Sequence, residues 1–359
     1  MPLSAPLLAA APLVVGLMTP ALVGAAAEQQ HPQHQQPARP PAVHAARTAA
    51  RPEVVEHEAA RGSAEQRRVL DYWTPARMAS ALPISMLGIA TRDGGLLSGL
   101  AGKAGLASAP GLSGATGKPA ARRHQRAVPH ASTSGANWPT SGAVARTTGR
   151  VFLTLAGVDF VCSASTVKSA NRDVVVTAGH CVKDGTGEWA DNWTFVPGYR
   201  EGGTRPYGQY AARRMFVAGQ WSRSGDDSHD VGMVALTTWQ SKHVEDVAGA
   251  QEIAFDAKRG TQTYAFGYPA DPPYDGERLI YCAGRPREDP YNQTHDQGLA
   301  CDMTAGSSGG PWFTGFDPAR GEGKIVSLSS FKYSNDQGTM YGPVFGDTAK
   351  TLFATAEHA

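Results

Sequence analysis

Short runs of β-branched and aromatic residues, separated by turn residues, dominate the chain from Arg150 onward. Runs of about four to eight such residues, bounded by Gly, Pro, Asn or Asp, are typical of β-strands. The strand candidates are Val151–Leu155, Val158–Val161, Asp173–Val176, Val231–Leu236, Gln262–Phe266 and Lys324–Leu328. No long amphipathic helix and no internal repeat interrupts this pattern. The pattern predicts an all-β barrel or sandwich.

The apolar pattern at the N-terminus predicts an export signal. Residues 7–22 are mostly apolar, but prolines interrupt them and the run is too short to span a bilayer. Ala25-Ala26-Ala27 offers a small-residue cleavage site, although no Lys or Arg precedes the apolar run. We therefore assign residues 1–27 to a signal peptide and expect a secreted, extracellular product. A flexible Ala-rich N-terminus is the alternative.

The chain between this signal and the β-rich region changes character twice. Residues 28–61 are rich in Gln, His, Pro, Ala and Arg, and such a composition predicts disorder. Residues 63–81 instead predict a short amphipathic helix that Pro75 bends or restarts. The apolar positions of that helix are Leu70, Tyr72, Trp73, Met78 and Leu82. Residues 93–142 return to Gly, Ala, Ser and Pro, which predicts a linker.

Composition and charge narrow the class of function. The 359 residues are 41% hydrophobic, enough to bury a sizeable core, and the formal net charge of +1 gives no case for nucleic acid or an acidic membrane. The histidines of residues 28–61 are too irregularly spaced for a metal site, so we expect no metal and no cofactor. They are His31, His34, His44 and His57.

Two motifs carry the chemistry. Val176–Cys181 reads VTAGHC and contains His180, whereas Thr304–Trp312 reads TAGSSGGPW and contains Ser308. A serine hydroxyl attacks a carbonyl poorly unless an imidazole takes its proton, and glycines leave N–H groups free to hold the oxyanion. Together the motifs predict a serine nucleophile with a histidine base.

These motifs resemble those of the chymotrypsin-like (trypsin-fold) serine proteases, in the secreted bacterial branch near the glutamyl endopeptidases. The resemblance covers about residues 148–359 and implies two antiparallel six-stranded β-barrels with the active site in the cleft between them. It implies a secreted serine endopeptidase that forms an acyl-enzyme on polypeptide substrates. The segment Tyr72–Met78 is similar to one found ahead of secreted trypsin-like bacterial peptidases, which makes it a candidate prosegment element.

The resemblance also implies roles for individual residues. Ser308 is the nucleophile, His180 the general base and then acid, and the backbone N–H groups of Gly306 and Ser308 form the oxyanion hole. Asp230 is the orienting carboxylate, because it precedes an apolar run as the family's aspartate does. The other carboxylates considered, which lie in polar turns or lack the apolar run, are Asp191, Asp226 and Asp227.

The four cysteines fit an exported protein, because such proteins keep disulfides. In the resembling family the cysteine of C-x-x-S, here Cys162, bridges to the one after the catalytic histidine, here Cys181. Cys282 and Cys301 are then left for a second bridge. A zinc site is the alternative, but the chain has no C-x-x-C pair.

The position before the nucleophile departs from the animal-type pattern. It holds Ser307 instead of Asp, and no Ile-Val-Gly-Gly start lies near residue 150. We therefore expect activation by removal of a prosegment, the chain's own partner before maturation. The expected organisation is propeptide and linker over 28–126, with the basic cluster Arg122–Arg126 as a processing site, linker or N-terminal arm over 127–147, and a monomeric protease domain over 148–359.

Two other classes of function stay open as alternatives. Gly306–Gly310 also satisfies the G-x-S-x-G elbow of esterases and lipases, but those enzymes place acid and histidine after the serine, where only His358 remains here. A non-catalytic protease homologue acting as a binding module usually loses a triad residue, whereas this chain keeps all three.

The side chain preferred at P1, the substrate residue before the cleaved bond, stays open as well. Asp302 lies six residues before Ser308, where trypsin-like enzymes carry the carboxylate that pairs with Arg or Lys. Ser330, Phe331 and Lys332 match the family's S-W-G pocket wall, with Lys332 in place of glycine. Its ammonium group could neutralise Asp302 or attract an acidic side chain. Basic, acidic and small or broad preferences are all retained.

Overall fold

The computed structural model describes residues 53–84, 134–139 and 141–359. The expected signal peptide and the basic cluster Arg122–Arg126 lie outside the described residues. The all-β class is confirmed, and each of the six strand candidates coincides with a strand to within a few residues. No helix among the described residues is long and apolar enough to cross a membrane.

The first described segment is folded and packs on the strands that follow it in the chain. Its elements are β1 (Val54–Glu58), α1 (Ser63–Tyr72), α2 (Pro75–Ser80) and β2 (Leu82–Pro83). The restart at Pro75 is observed, because proline needs no N–H partner at the first helical position and the Thr74 hydroxyl accepts from the Arg77 N–H at 3.3 Å. Disorder was the wrong expectation for residues 54–58. They form a strand because β8 (Tyr210–Ala218) offers them an open edge.

The first half of the β-rich region is a closed barrel. After β3 (Ala136–Asn137) and α3 (Val144–Thr147), its strands are β4 (Thr148–Leu155), β5 (Val158–Thr166), β6 (Val174–Thr177), β7 (Asp191–Pro197), β8 and β9 (Gly232–Leu236). They pair antiparallel in the order β8-β7-β4-β5-β6-β9, and pairing of β9 with β8 closes the barrel. Every residue of β4 is buried, so this strand lies at the centre of the core.

The C-terminal half contains the second group of strands that the family fold implies, divided here between two sheets. It is preceded by α4 (Gly219–Ser224) and α5 (Val244–Ala248). Its strands are β10 (Glu252–Ile253), β11 (Thr263–Gly267), β12 (Ile280–Gly284), β13 (Arg287–Glu288), β14 (Gln297–Ala300), β15 (Pro311–Asp317), β16 (Glu322–Leu328) and β17 (Thr339–Gly342), with α6 (Asp347–Ala356) last. One sheet runs β10-β16-β15-β11-β12-β3, and the other runs β13-β14-β17.

Both expected disulfides are present. Cys162–Cys181 joins β5 to the turn after β6, and Cys282–Cys301 joins β12 to the residue after β14. Each bridge closes a sequence separation of 19 residues, which contributes about 3 kcal/mol in the chain-entropy account. The first bridge also fixes the backbone beside His180, and the second fixes the start of the segment that leads to Ser308.

Candidate active site

His180 lies in the 3-10 turn Gly179–Cys181, directly after β6. Its ring Nδ1 lies 2.8 Å from Oδ2 of Asp230, and its backbone N–H donates to Oδ1 of the same carboxylate at 2.7 Å. Both side chains are buried. One carboxylate therefore holds the histidine by ring and backbone together, which selects the tautomer with Nδ1 protonated and Nε2 free to accept a proton.

Asp230 follows the short 3-10 turn Asp227–His229 and precedes β9. Besides the two contacts with His180, its Oδ2 accepts the Ser330 hydroxyl at 2.5 Å. We expected Ser330 to face the substrate. The structure instead places its hydroxyl on the Asp230 carboxylate, a contact that the sequence did not predict.

Ser308 lies in a turn that only glycine can build. Gly306 and Gly309 have φ angles of +95° and +79°, in the left-handed region. A Cβ on Gly309 would collide with the Thr177 hydroxyl and the Ser163 carbonyl. The turn is closed by the Gly309 N–H donating to Ser329 O at 2.7 Å, while the Ser163 N–H donates to Ser308 O at 2.7 Å. The backbone of Ser308 is therefore held both by β5, through Ser163, and by the turn itself.

The two adjacent serines differ in what their hydroxyls do. The Ser307 hydroxyl donates to Thr304 O at 2.7 Å. Ser308 Oγ and His180 Nε2 are buried, and within the described part of the chain neither has a hydrogen-bond partner, each other included. Buried polar atoms without partners are rare and call for an explanation. Here they are a hydroxyl and a basic ring nitrogen, the pair that general-base catalysis needs.

The expected oxyanion donors are also uncommitted. Among the described residues, neither the Gly306 N–H nor the Ser308 N–H donates to a protein acceptor. The Gly306 carbonyl accepts the Ser163 hydroxyl at 2.9 Å, which fixes the orientation of the peptide that follows Gly306. A Cβ on Gly306 would lie 2.9 Å from Tyr268 O, so a larger residue would displace the turn.

The Asp302 carboxylate is hydrogen-bonded to other parts of the chain. Its Oδ1 accepts the Tyr274 hydroxyl at 2.6 Å and the Gly135 N–H at 2.7 Å. Burial, reinforced by the Asp302 carboxylate, raises the pKa of Tyr274 to about 12, so the phenol stays protonated and donating. Gly135 directly precedes β3, whose pairing with β12 holds this arm in place. The carboxylate expected to face the substrate therefore anchors the N-terminal arm of the domain.

Lys332 is buried and directed inward. Its ammonium group donates to Cys301 O at 2.9 Å and to Gln337 O at 2.6 Å. Burial lowers the pKa of Lys332 to about 8, against the opposing effect of the Asp302 and Asp336 charges. Phe331 stacks on Tyr341 with ring centroids 5.2 Å apart. Of the expected pocket residues, Lys332 and Phe331 thus pack within the wall.

The described residues contain one group of three potential metal ligands close together: Cys162, His180 and Cys181. Both sulfurs belong to the disulfide, so they cannot act as thiolate ligands.

Comparisons with known proteins agree with this architecture. A family model described as a trypsin-like peptidase domain matches residues 162–317. The crystal structure of protease Anisep from Arthrobacter nicotinovorans is 39% identical, with a TM-score of 0.57, over 60% of this chain and 96% of that one. The thermostable serine protease AL20 from an extremophilic microorganism is 38% identical, with a TM-score of 0.57, over 60% of this chain and 99% of that one.

A curated glutamyl endopeptidase of Bacillus licheniformis is 34% identical over 100 residues, which is 27% of this chain and 30% of that protein. The chain thus matches under a third of the length of this curated relative. With solved relatives matched over nearly their whole length, the chain belongs to the trypsin-like peptidase family. The expected class, a bacterial serine peptidase of the chymotrypsin fold, is confirmed, and the all-β architecture is not that of an α/β-hydrolase.

Proposed function

We propose that this chain is a secreted serine endopeptidase that cleaves polypeptides through Ser308, His180 and Asp230. One observation carries the proposal: the buried Asp230 carboxylate accepts from both Nδ1 and the backbone N–H of His180. This arrangement leaves Nε2 as an uncommitted acceptor in the same site as the uncommitted Ser308 hydroxyl.

The reaction follows from these contacts. Ser308 Oγ attacks the peptide carbonyl carbon as its proton passes to His180 Nε2, and Asp230 stabilises the imidazolium that forms. The carbonyl oxygen becomes an oxyanion that accepts from the N–H groups of Gly306 and Ser308. The C–N bond then breaks as Nε2 returns the proton to the leaving amine. Water, deprotonated by Nε2, repeats the sequence on the acyl-enzyme and releases the acid.

The chain as translated is a precursor in this proposal. His180, Asp230 and Ser308 are each 0% exposed in the uncut chain, and this burial supports a precursor form. A cut in the linker, with the basic cluster Arg122–Arg126 as the candidate processing site, is the activating step. The two disulfides support export, because such bridges persist in oxidising compartments. The active species in this proposal is a monomer that needs no metal or cofactor.

For the substrate, we propose a small or broad preference at P1. Asp302 is held by Tyr274 and Gly135, and the Lys332 ammonium by two backbone carbonyls. The Lys332 ammonium could pair with a substrate side chain only by losing these bonds, and Oδ1 of Asp302 is already shared between two donors. The basic and acidic alternatives are the less favoured ones on this ground.

The decisive experiment separates the adjacent serines. Ser308→Ala should abolish hydrolysis of a denatured protein mixture by the processed enzyme, whereas Ser307→Ala should keep most of it. A fluorophosphonate probe should label Ser308, as mapped by peptide mass spectrometry. Label on Ser307, or full activity in Ser308→Ala, would overturn the assignment, and a processed wild type with neither label nor activity would favour the binding-module alternative.

A further inference from the structure

Residues 53–84 fill two open strand edges of the N-terminal barrel. Strand β1 pairs antiparallel with β8, in register from Val54 opposite Ala218 to Glu58 opposite Arg214. The barrel neighbour β7 pairs with β8 only at Tyr210 and Ala211, so β1 continues the edge that β7 leaves open. Strand β2 likewise pairs with Phe160 and Val161 of β5, away from the two β5 residues that pair with β6. Open strand edges readily bind an added strand.

An aromatic anchor sits between these two strands. Trp73 is 1% exposed, its indole N–H donates to Asn192 O at 2.5 Å, and its ring lies against Phe152 with centroids 5.5 Å apart. Met78 and Ile84 belong to the same buried core as the barrel strands. A single buried tryptophan with a satisfied N–H is the kind of residue that dominates the energy of an interface.

Polar contacts fix the register of the same segment. The Tyr72 hydroxyl donates to Asp159 Oδ1 at 2.8 Å, and Arg77 forms an ion pair with that carboxylate at 3.4 Å. At the other end, the Gly219 N–H donates to Glu53 O at 2.8 Å, and the Glu53 side chain pairs with Arg223. The segment belongs to the compact unit Ala50–Ala359 that contains both halves of the protease domain.

These contacts do not involve the three residues proposed for catalysis. Within the described residues, no hydrogen bond, ion pair or ring contact joins residues 53–84 to His180, Asp230 or Ser308. The strand pairings and the buried Trp73 therefore do not depend on a covalent connection through residues 85–133. They also do not require it to leave for the cleft to open.

We propose that residues 53–84 are a docking segment that stays bound to the N-terminal barrel, without a covalent link, after the chain is cut within residues 85–133. The processed enzyme is then a two-piece complex. This differs from the simpler expectation that the helical prosegment is absent from the mature protein. The partner that fits this surface is the chain's own β1-α1-α2-β2 unit, with Trp73 as its anchor.

The test uses the full chain carrying Ser308→Ala and a recognition sequence for a specific protease inserted into residues 85–133. After the cut, size-exclusion chromatography and native mass spectrometry follow the two pieces from micromolar to nanomolar concentration. We expect them to migrate together at micromolar concentration. Trp73→Ala should weaken their association at least 100-fold, whereas Leu82→Ala, at a side chain 46% exposed, should change it less than about 3-fold.

Separation of the unmodified pieces at micromolar concentration would overturn the proposal, as would equal effects of Trp73→Ala and Leu82→Ala. If Trp73→Ala prevents folding of the uncut chain, a milder pair keeps the test. Tyr72→Phe and Asp159→Ala should each weaken association by about 3- to 10-fold, and the double variant no more than the stronger single one. Additive effects would contradict the contact. Because the readout is binding, it does not depend on whether Ser308 is the nucleophile.

Discussion

The residues proposed for catalysis (the catalytic wall) and those expected to line the substrate pocket (the pocket wall) differ in how their charged groups are bonded. On the catalytic wall, Asp230 gathers three donors and leaves His180 Nε2 and Ser308 Oγ without partners. On the pocket wall, Asp302 and Lys332 are both bonded to other parts of the chain. A charged residue at a motif position can therefore serve chemistry on one wall and architecture on the other, and only its partners tell which.

The largest effect expected on the catalytic wall is that of Asp230→Asn. The amide cannot stabilise the imidazolium and favours the wrong ring tautomer, so kcat should fall by about 10⁴-fold while the fold is kept. Hydrolysis by the processed enzyme, with circular dichroism for folding, measures this. Asp227→Asn is the matched control and should stay within a few-fold of wild type. Equal losses in the two variants would remove Asp230 from its assigned role.

A smaller effect on the same wall is expected from Ser330→Ala. Removing the hydroxyl that donates to Asp230 Oδ2 at 2.5 Å should lower kcat by about 10- to 100-fold, with little change in KM, because a hydrogen bond to a charged group is lost. The exposed Ser224→Ala in α4 serves as control and should be unaffected. A changed P1 preference with unchanged kcat would instead return Ser330 to the pocket.

This contrast also marks what the sequence could predict. The catalytic motifs are local: His180 and Cys181 are adjacent, and Ser308 and its glycines lie within five residues. The fate of Asp302 depends on Gly135, which is 167 positions away, and on Tyr274, which is 28 positions away. Residues 54–58 became a strand only because a distant edge was open. Local pattern could therefore predict the strands, and the family resemblance of the motifs the disulfides and the triad candidates, but neither could predict the partners that tertiary packing supplies.

On the pocket wall, Lys332 should make stability depend on pH. Its folded pKa of about 8 lies below the ordinary value of 10.5, so from pH 8 to 10.5 the unfolded chain binds more protons. Stability relative to Lys332→Met should then rise with pH across this window, by about 1–3 kcal/mol, and be flat below it. Urea unfolding at several pH values measures the difference. Lys324→Met, at an exposed position of β16, should show no such slope, and a slope of the opposite sign for Lys332 would contradict its buried placement.

The smallest effect is expected for Asp302, although its motif position favoured a direct role in P1 preference. Asp302→Asn keeps an amide oxygen that can accept from Tyr274 and Gly135, so the cleavage profile across P1 residues should be unchanged to within about 3-fold. A P1-varied peptide library, run on wild type, Asp302→Asn and Tyr274→Phe, measures this. Tyr274→Phe is the informative partner, because it frees one side of the carboxylate without removing the charge. If Asp302 only anchors the arm, both variants should cost some stability and leave the profile alone. A selective loss of Arg and Lys cleavage in Asp302→Asn would show that its charge reaches the substrate, and the contrast between the two walls would fail.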